Sequence, residues 1–231
     1  MQTFLDNQLE VVDSISTVSQ VYEHLRSSII CGELRPGQAL SEQAIAKVYS
    51  TSRQPVREAF LKLAEERLVV IQPKRGTFVV KISIADVLDA RFVREAIEVA
   101  VVQEAALSAL PKAIRRLRQL LEQQKEISHG NNVKFLALDE EFHRTIALSI
   151  GRAHSWRVVE TVKAQMDRIR YLSLDTATPL PLIVDQHTRI VDNIEAGNVN
   201  GAAAAMRTHL REIMGSLPNI AAAFPDIFEP D

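Results

Sequence analysis

Apolar residues recur at helical spacing along most of the chain, and one short region departs from that rhythm. Val18, Val21, Leu25 and Ile29 lie three and four apart, predicting a helix over about residues 18–31, with Thr17-Val18-Ser19-Gln20 as a capping box and Gly32 as the stop. Arg35-Pro36-Gly37 reads as a turn. Ser41 then caps a short helix carrying Ile45 and Val48. Ser52, its hydroxyl available to an orphan N–H, caps another whose apolar face is Val56, Ala59, Phe60, Leu63 and Ala64. Leu68 to Ile71 and Thr77 to Val80 are instead β-branched runs flanking Gln72-Pro73-Lys74-Arg75-Gly76, the pattern of a β-hairpin. From Ile84 the helical period returns over about 84–109, 112–128, 132–149, 152–174, 180–196 and 199–216. The breaks fall at Pro111, His129-Gly130-Asn131, Gly151, Thr178-Pro179, Gly197 and Pro218.

Two short helices in succession, followed by a hairpin, make a winged helix-turn-helix pattern, and six later helices with short connections make a bundle. The expected fold is mainly α: an N-terminal winged helix-turn-helix over 15–81 and a C-terminal all-α antiparallel helical bundle over 82–217. A flexible segment 1–14 and a tail 218–231 are expected at the two ends.

Composition narrows the class without choosing within it. At 231 residues, 46% hydrophobic and 24% charged, the chain is of ordinary globular character. No apolar run approaches the roughly 18 residues of a membrane span, and Met1 to Asp6 lack the basic and apolar regions of a secretory signal. Cys31, the single cysteine, has no internal disulfide partner and reads as a small half-buried residue ending a helix; a cytoplasmic location is expected.

Charge is unevenly spread. Residues 41–81 carry eight Lys/Arg against four Glu, a net of +4 in a chain whose formal charge is −2, so the remainder totals −6. A basic module on an acidic body suits a site-specific DNA binder, because phosphate attraction is local. Arg53 and Arg57 share one face at i,i+4 near the start of the second helix of the pair, and Lys74 and Arg75 sit at the hairpin tip. A groove-entering helix and a phosphate-gripping wing need cations at those places.

A second constellation lies in the bundle. Asp139 and His143 project from successive turns of one helix face, and His187 and His209 sit on apolar stripes of two other helices. One carboxylate and three imidazoles converging in a bundle form a candidate divalent-metal site, suited to Zn, Ni, Fe or Co, with Mn admitted by the carboxylate. The alternative is that each buried histidine is satisfied by a neighbouring side chain. His24, His129 and His154 lie near helix ends or on polar faces and read as bystanders.

With these residues the chain resembles the GntR superfamily of bacterial transcription regulators, in its FadR branch with an all-helical FCD domain. The N-terminal likeness rests on Leu34-Arg35-Pro36-Gly37, Leu40-Ser41-Glu42, Ser52 to Phe60 and Gly76-Thr77-Phe78-Val79. The C-terminal likeness rests on Arg94 to Glu98, Asp139 to His143, Gln186 to Ile190 and Met206 to Leu210, and six helices match the shorter VanR-like subgroup. The resemblance implies DNA contacts from Gln43, Ser52, Arg53, Gln54, Pro55, Arg57, Lys74, Arg75 and Gly76. It implies metal ligation by Asp139, His143, His187 and His209, and an effector-facing role for Arg94. Family members usually have glycine at the positions of Ser50 and Arg67, where this chain departs.

The expectation is a homodimeric, ligand-responsive regulator, a repressor or an activator and not an enzyme, that binds a palindromic operator and senses a small carboxylate at a metal (Zn, Ni, Mn or Fe). A metalloenzyme acting on a small acid is the rival; no motif supplies it with an obvious separate general base, though Glu140 and Glu141 lie close by in sequence. A constitutive architectural binder is a third reading.

Overall fold

The computed structural model describes residues 16–108, 110–127, 130–174 and 177–230. The N-terminal segment 1–14 and His129 lie outside them. Two compact units are present, one running to Ile84 and taking in the residues from Asp226, the other Ala85–Pro225.

The first unit contains helices α1 (Thr17–Ile30), α2 (Glu42–Val48) and α3 (Arg53–Glu65), and strands β1 (Ala39–Leu40), β2 (Val69–Gln72) and β3 (Gly76–Val79). The sheet is antiparallel in the order β1-β3-β2, with Leu40 opposite Thr77, and Val69 opposite Val79. β1, only two residues long, carries no alternation for a sequence pattern to detect. Val21, Leu25 and Ile29 of α1 bury against Val56, Ala59, Phe60 and Leu63 of α3, the stripes that the periodicity marks out. Tyr22 and Arg26 of α1 both donate to the Glu66 carboxylate, Arg26 Nε at 2.7 Å, which ties α1 to the end of α3. His24 contacts the Tyr49 hydroxyl and Cys31 is the half-buried C-cap of α1, both structural roles. After β3, Ile82 pairs with Phe228: its N–H donates to Ile227 O at 2.8 Å and its carbonyl accepts from Glu229 N–H at 2.9 Å.

The caps differ in part from expectation. Ser16, not Thr17, caps α1, its hydroxyl accepting from Ser19 N–H at 3.2 Å; adjacent hydroxyl residues leave a one-residue ambiguity in sequence. Ser41 caps α2 as expected. Ser52 occupies the N-cap of α3, but its hydroxyl makes no capping bond.

The second unit contains α4 (Ile84–Ser108), α5 (Pro111–Lys125), α6 (Asn132–Ser149), α7 (Ala153–Val162), α8 (Ala164–Ser173), α9 (Leu180–Glu195) and α10 (Val199–Ala223). The expected helix at 152–174 is bent at Lys163 into α7 and α8. The backbone ladder persists across the bend, Lys163 N–H donating to Val159 O and Asp167 N–H to Lys163 O, while the Lys163 ammonium turns inward to Asp167 and Glu140. Pro218 does not end the last helix, contrary to expectation. Leu217 and Ile220 extend the buried stripe of Ile213, and this packing outweighs the missing N–H. The core is formed by Val102 and Ala105 of α4, Leu117 and Leu120 of α5, Phe142 and Ile146 of α6, Ile190 and Val191 of α9, and Met206 of α10.

Ser50 and Arg67 have φ of +48° and +56°, the left-handed region that the departures from glycine put in question. Each follows a helix C-cap, and the next residue bonds back five positions, Thr51 N–H to Ala46 O and Leu68 N–H to Leu63 O, the closing bond of a Schellman motif. Gly151 and Gly197 end α6 and α9 in the same way. A Cβ in that conformation costs on the order of 1 kcal/mol, part of which glycine returns as unfolded-state entropy. Ser50→Gly is therefore expected to stabilise the protein by up to about 1 kcal/mol in urea unfolding, whereas Ser50→Ala, which keeps the Cβ, gives no gain.

Candidate metal centre and nucleic-acid interface

Asp139 and His143 lie one turn apart on the inward face of α6, His187 faces them from α9 and His209 from α10. None is more than 8% exposed, and their ligand atoms all lie within 4.8 Å of one another. His143 Nε2 is 3.1 Å from His209 Nε2, His187 Nε2 is 3.4 Å from His209 Nε2 and 3.4 Å from Asp139 Oδ1, and His143 Nε2 is 3.9 Å from Asp139 Oδ2. Phe142 stacks on the His187 ring with centroids 4.2 Å apart, fixing its plane.

The outer nitrogens of the rings face acceptors on neighbouring helices. His143 Nδ1 lies 2.5 Å from Glu98 Oε2, His187 Nδ1 is 2.8 Å from Gln124 Oε1, and His209 Nδ1 is 3.0 Å from Gln186 Oε1. The amide orientations follow from their other ends, since Gln124 Nε2 donates to Leu138 O and Gln186 Nε2 donates to the Glu212 carboxylate. The Nδ1 atoms of His187 and His209 thus face amide acceptors and carry the proton, which leaves their Nε2 atoms as lone pairs directed into the cluster, while His143 Nδ1 faces the Glu98 carboxylate without a well-directed hydrogen bond.

Electrostatics agree with that assignment. Burial pushes His187 down to about 3 against the pull of Asp139, and burial together with His187 and His143 takes His209 well below its ordinary value. Both rings are therefore neutral near pH 7. Burial opposes the charge on Asp139, but Arg170, with Nη2 2.5 Å from Oδ1, and then the imidazoles hold its carboxyl well below the usual range. Neither Asp139 oxygen has a well-directed hydrogen bond. Glu98 is likewise carried down to about 2, Arg94 and then His143 overcoming the cost of its burial. Three converging imidazoles and an under-satisfied carboxylate, their ligand atoms within 4.8 Å of one another, fit a divalent cation, with Asp139, His143, His187 and His209 as the groups that would hold it.

Arg94 is 2% exposed and donates Nε to Glu98 Oε1 at 2.6 Å, so its immediate role is to orient the carboxylate behind His143. It also lines a cavity of about 30 Å³ with Arg170, Gln186 and His209, placing two guanidinium groups beside the imidazole cluster. Space for one or two waters is present there, and a larger anion requires the surrounding side chains to move. Glu98, Gln124, Arg170 and Gln186 are the site residues that sequence reading passed over. The signals for two of them are faint: Glu98 stands four residues after Arg94, and Gln186 directly precedes His187. His154 interacts only with nearby Arg157, at 3.5 Å, among the contacts described.

In the first unit, Gln43, Ser52, Arg53, Gln54, Arg57, Lys74, Arg75 and Gly76 are exposed and Pro55 half-buried. Arg53 and Arg57 lie on the outer face of α3 as the i,i+4 spacing requires, and Lys74 and Arg75 occupy the turn between β2 and β3. Lys74 has φ +63° and Gly76 φ +116°, the geometry that closes this tight tip.

Comparison with known proteins covers both units. Residues 17–79 match the bacterial regulatory proteins of the gntR family, and residues 89–212 match the FCD domain, a span that includes all four cluster residues. The HTH-type transcriptional repressor RspR of Escherichia coli (strain K12) is 37% identical over 213 residues, 92% of this chain and 93% of that protein. The gluconate operon transcriptional repressor of Bacillus subtilis (strain 168) is 29% identical over 181 residues, 78% of this chain and 73% of that protein. Among solved structures, E. coli McbR/YncC superposes with a TM-score of 0.74 at 20% identity, covering 92% of this chain and 99% of its own, a likeness of fold. The GntR regulator of Rhodococcus sp. RHA1, described as putative in its name, gives 0.65 at 25% identity, covering 93% and 100%. These families and relatives are transcription regulators and not enzymes, which sets the metalloenzyme reading aside. The chain belongs to the GntR family of bacterial regulatory proteins: it is a DNA-binding transcription regulator whose winged helix-turn-helix is joined to an FCD effector-binding domain.

Proposed function

We propose that the protein is a homodimeric regulator that binds a palindromic operator through α3 and the β2–β3 wing, and that releases or tightens it when a small carboxylate reaches a metal-containing pocket in the helical unit. The observation that carries the sensing part is the convergence of three imidazoles, with the Nε2 atoms of His143 and His187 at 3.1 and 3.4 Å from that of His209, beside the under-satisfied Asp139 carboxylate. A bound divalent metal supplies a Lewis-acidic centre with positions beyond its protein ligands for an anion.

The chain's own residues favour an anionic effector. Arg94 and Arg170 line the cavity beside His209 and provide planar donors matched to carboxylate geometry. Arg94 and Glu98 lie on α4, one continuous helix beginning at Ile84, directly after the segment that follows the wing. A displacement at the His143, Glu98 and Arg94 relay therefore acts on the helix that leads to the DNA-binding unit, the physical requirement for coupling two sites. Dimerisation is supported by Leu88 and Phe92, one turn apart on α4 and 37% and 65% exposed, an apolar stripe suited to a second copy. One short helix reads too few base pairs for genomic specificity, so two copies on an inverted repeat follow from the size of the reading element.

Elemental analysis and metal titration of chelator-treated protein are expected to give one divalent ion per chain. Gln124→Leu, which removes the acceptor behind His187, is expected to lower metal affinity by about 10- to 100-fold while leaving the fold intact. Screening small organic acids against metal-loaded protein is expected to yield one that raises the melting temperature and changes operator affinity; Arg94→Ala is expected to abolish both responses. If no acid does either, the sensing role fails. Selection from random duplex DNA is expected to recover an inverted repeat, and Arg57→Ala to weaken binding to it by about 1–3 kcal/mol. Unselective recovery contradicts the operator reading.

A further inference from the structure

The two arginines at the start of α3 share a single carboxylate. Glu42, the first residue of α2, accepts Arg53 Nε at 3.1 Å and Arg53 Nη2 at 2.7 Å on Oε2. The same carboxylate accepts Arg57 Nε on Oε1 at 3.1 Å and Arg57 Nη2 on Oε2 at 3.0 Å. Both arginine side chains are more than half exposed, 63% and 53%, while the glutamate is 21% exposed beneath them. Its carboxyl is held below the ordinary glutamate range, Arg57 first and Arg53 next among the favourable partners, so it is ionised at neutral pH.

The consequence lies in which edge of each guanidinium is engaged. A guanidinium offers a side edge, Nε–H with one Nη–H, and an end edge formed by its two Nη groups. Glu42 takes the side edge of both arginines. The end edges, each a fork matched to the two acceptors of a guanine in the major groove, remain outward. Without a tether, an exposed arginine loses side-chain entropy when it adopts one fork direction on binding. Ser41 caps α2 through Ala44 N–H at 3.2 Å and so fixes the backbone from which the carboxylate projects.

We propose that Glu42 is a positioning residue for operator recognition, holding the Arg53 and Arg57 forks in one base-reading orientation and cancelling one positive charge so that the pair discriminates sequence rather than gripping phosphate. This inference rests on the reading of Arg53 and Arg57 as DNA contacts. It predicts opposite effects on two kinds of DNA, a signature that neither loss of folding nor simple masking of the arginines produces. Removing the carboxylate frees a full positive charge for phosphates and releases the forks.

The test uses the full-length protein, the selected operator duplex and a scrambled duplex of equal length, with anisotropy titrations over a series of salt concentrations. Glu42→Gln is expected to bind scrambled DNA several-fold more tightly, with a log–log salt slope steeper by about one. It is expected to bind the operator no better than wild type, so that the ratio of operator to scrambled affinity falls at least about tenfold. Glu42→Asp, which keeps the charge but withdraws it by one methylene, is expected to leave scrambled binding and the salt slope at wild type while still lowering the ratio. Equal tightening on both duplexes by Glu42→Gln identifies a mask and overturns the proposal, as does an unchanged ratio in both variants. Arg53→Ala and Arg57→Ala separate the two levels of inference. If they leave operator binding intact, the DNA-contact reading itself is wrong; if they weaken it while both Glu42 variants preserve the ratio, the positioning role alone is wrong.

Discussion

Three imidazole rings in the helical unit turn their Nε2 atoms toward one another, and the surrounding polar architecture follows from that constraint. Ring nitrogens 3.1 and 3.4 Å apart in a buried site keep that geometry only if each ring is pinned from behind. Glu98, Gln124 and Gln186 do the pinning, and each is held in turn, Glu98 by Arg94, Gln124 by the Leu138 carbonyl and Gln186 by Glu212. Such a network of buried polar groups is costly unless every member is engaged.

The charges continue outward from Asp139. Arg170 faces it at 2.5 Å, lies 3.7 Å from Asp167, and Asp167 meets Lys163, which also reaches Glu140 near the surface. Lys163 is also the residue between α7 and α8. On the other side of the cluster, Glu98 and Arg94 carry the connection to α4. Buried side chains thus link the cluster to both α4 and α8, through Glu98 and Arg94 on one side and Arg170 on the other.

The DNA-binding unit solves a related problem at its surface. Two guanidinium groups one turn apart repel one another and wander unless something organises them, and Glu42 supplies that from a neighbouring helix. In both units a carboxylate from one helix meets nitrogen-bearing side chains of another: Glu98 of α4 behind His143 of α6, and Glu42 of α2 behind Arg53 and Arg57 of α3. The orientation of these groups is something local sequence does not encode.

The order and type of elements were legible in sequence because local physics sets them. The 3.6-residue period of Val21, Leu25 and Ile29, the hydroxyl of Ser41 and the stop at Gly32 act within a few residues of themselves. The four cluster residues were legible too, since an imidazole or carboxylate on an apolar stripe has to face inward. Failures occurred where packing overruled a local signal: Pro218 stays within α10 because Leu217 and Ile220 are buried, and β1 exists only because β3 pairs with it. The side chains that contact the cluster and the two arginines, Glu42, Glu98, Gln124, Arg170 and Gln186, could not be found in this way. Their role arises from side chains meeting across helices far apart in the chain, as His187 meets Gln124 63 residues away. Sequence by itself determined which polar residues fall on apolar stripes or at an exposed helix start, because residue type and period suffice for that. Only the tertiary structure decided which atom of each faces which partner, because hydrogen-bond direction depends on how helices pack and not on their spacing in the chain.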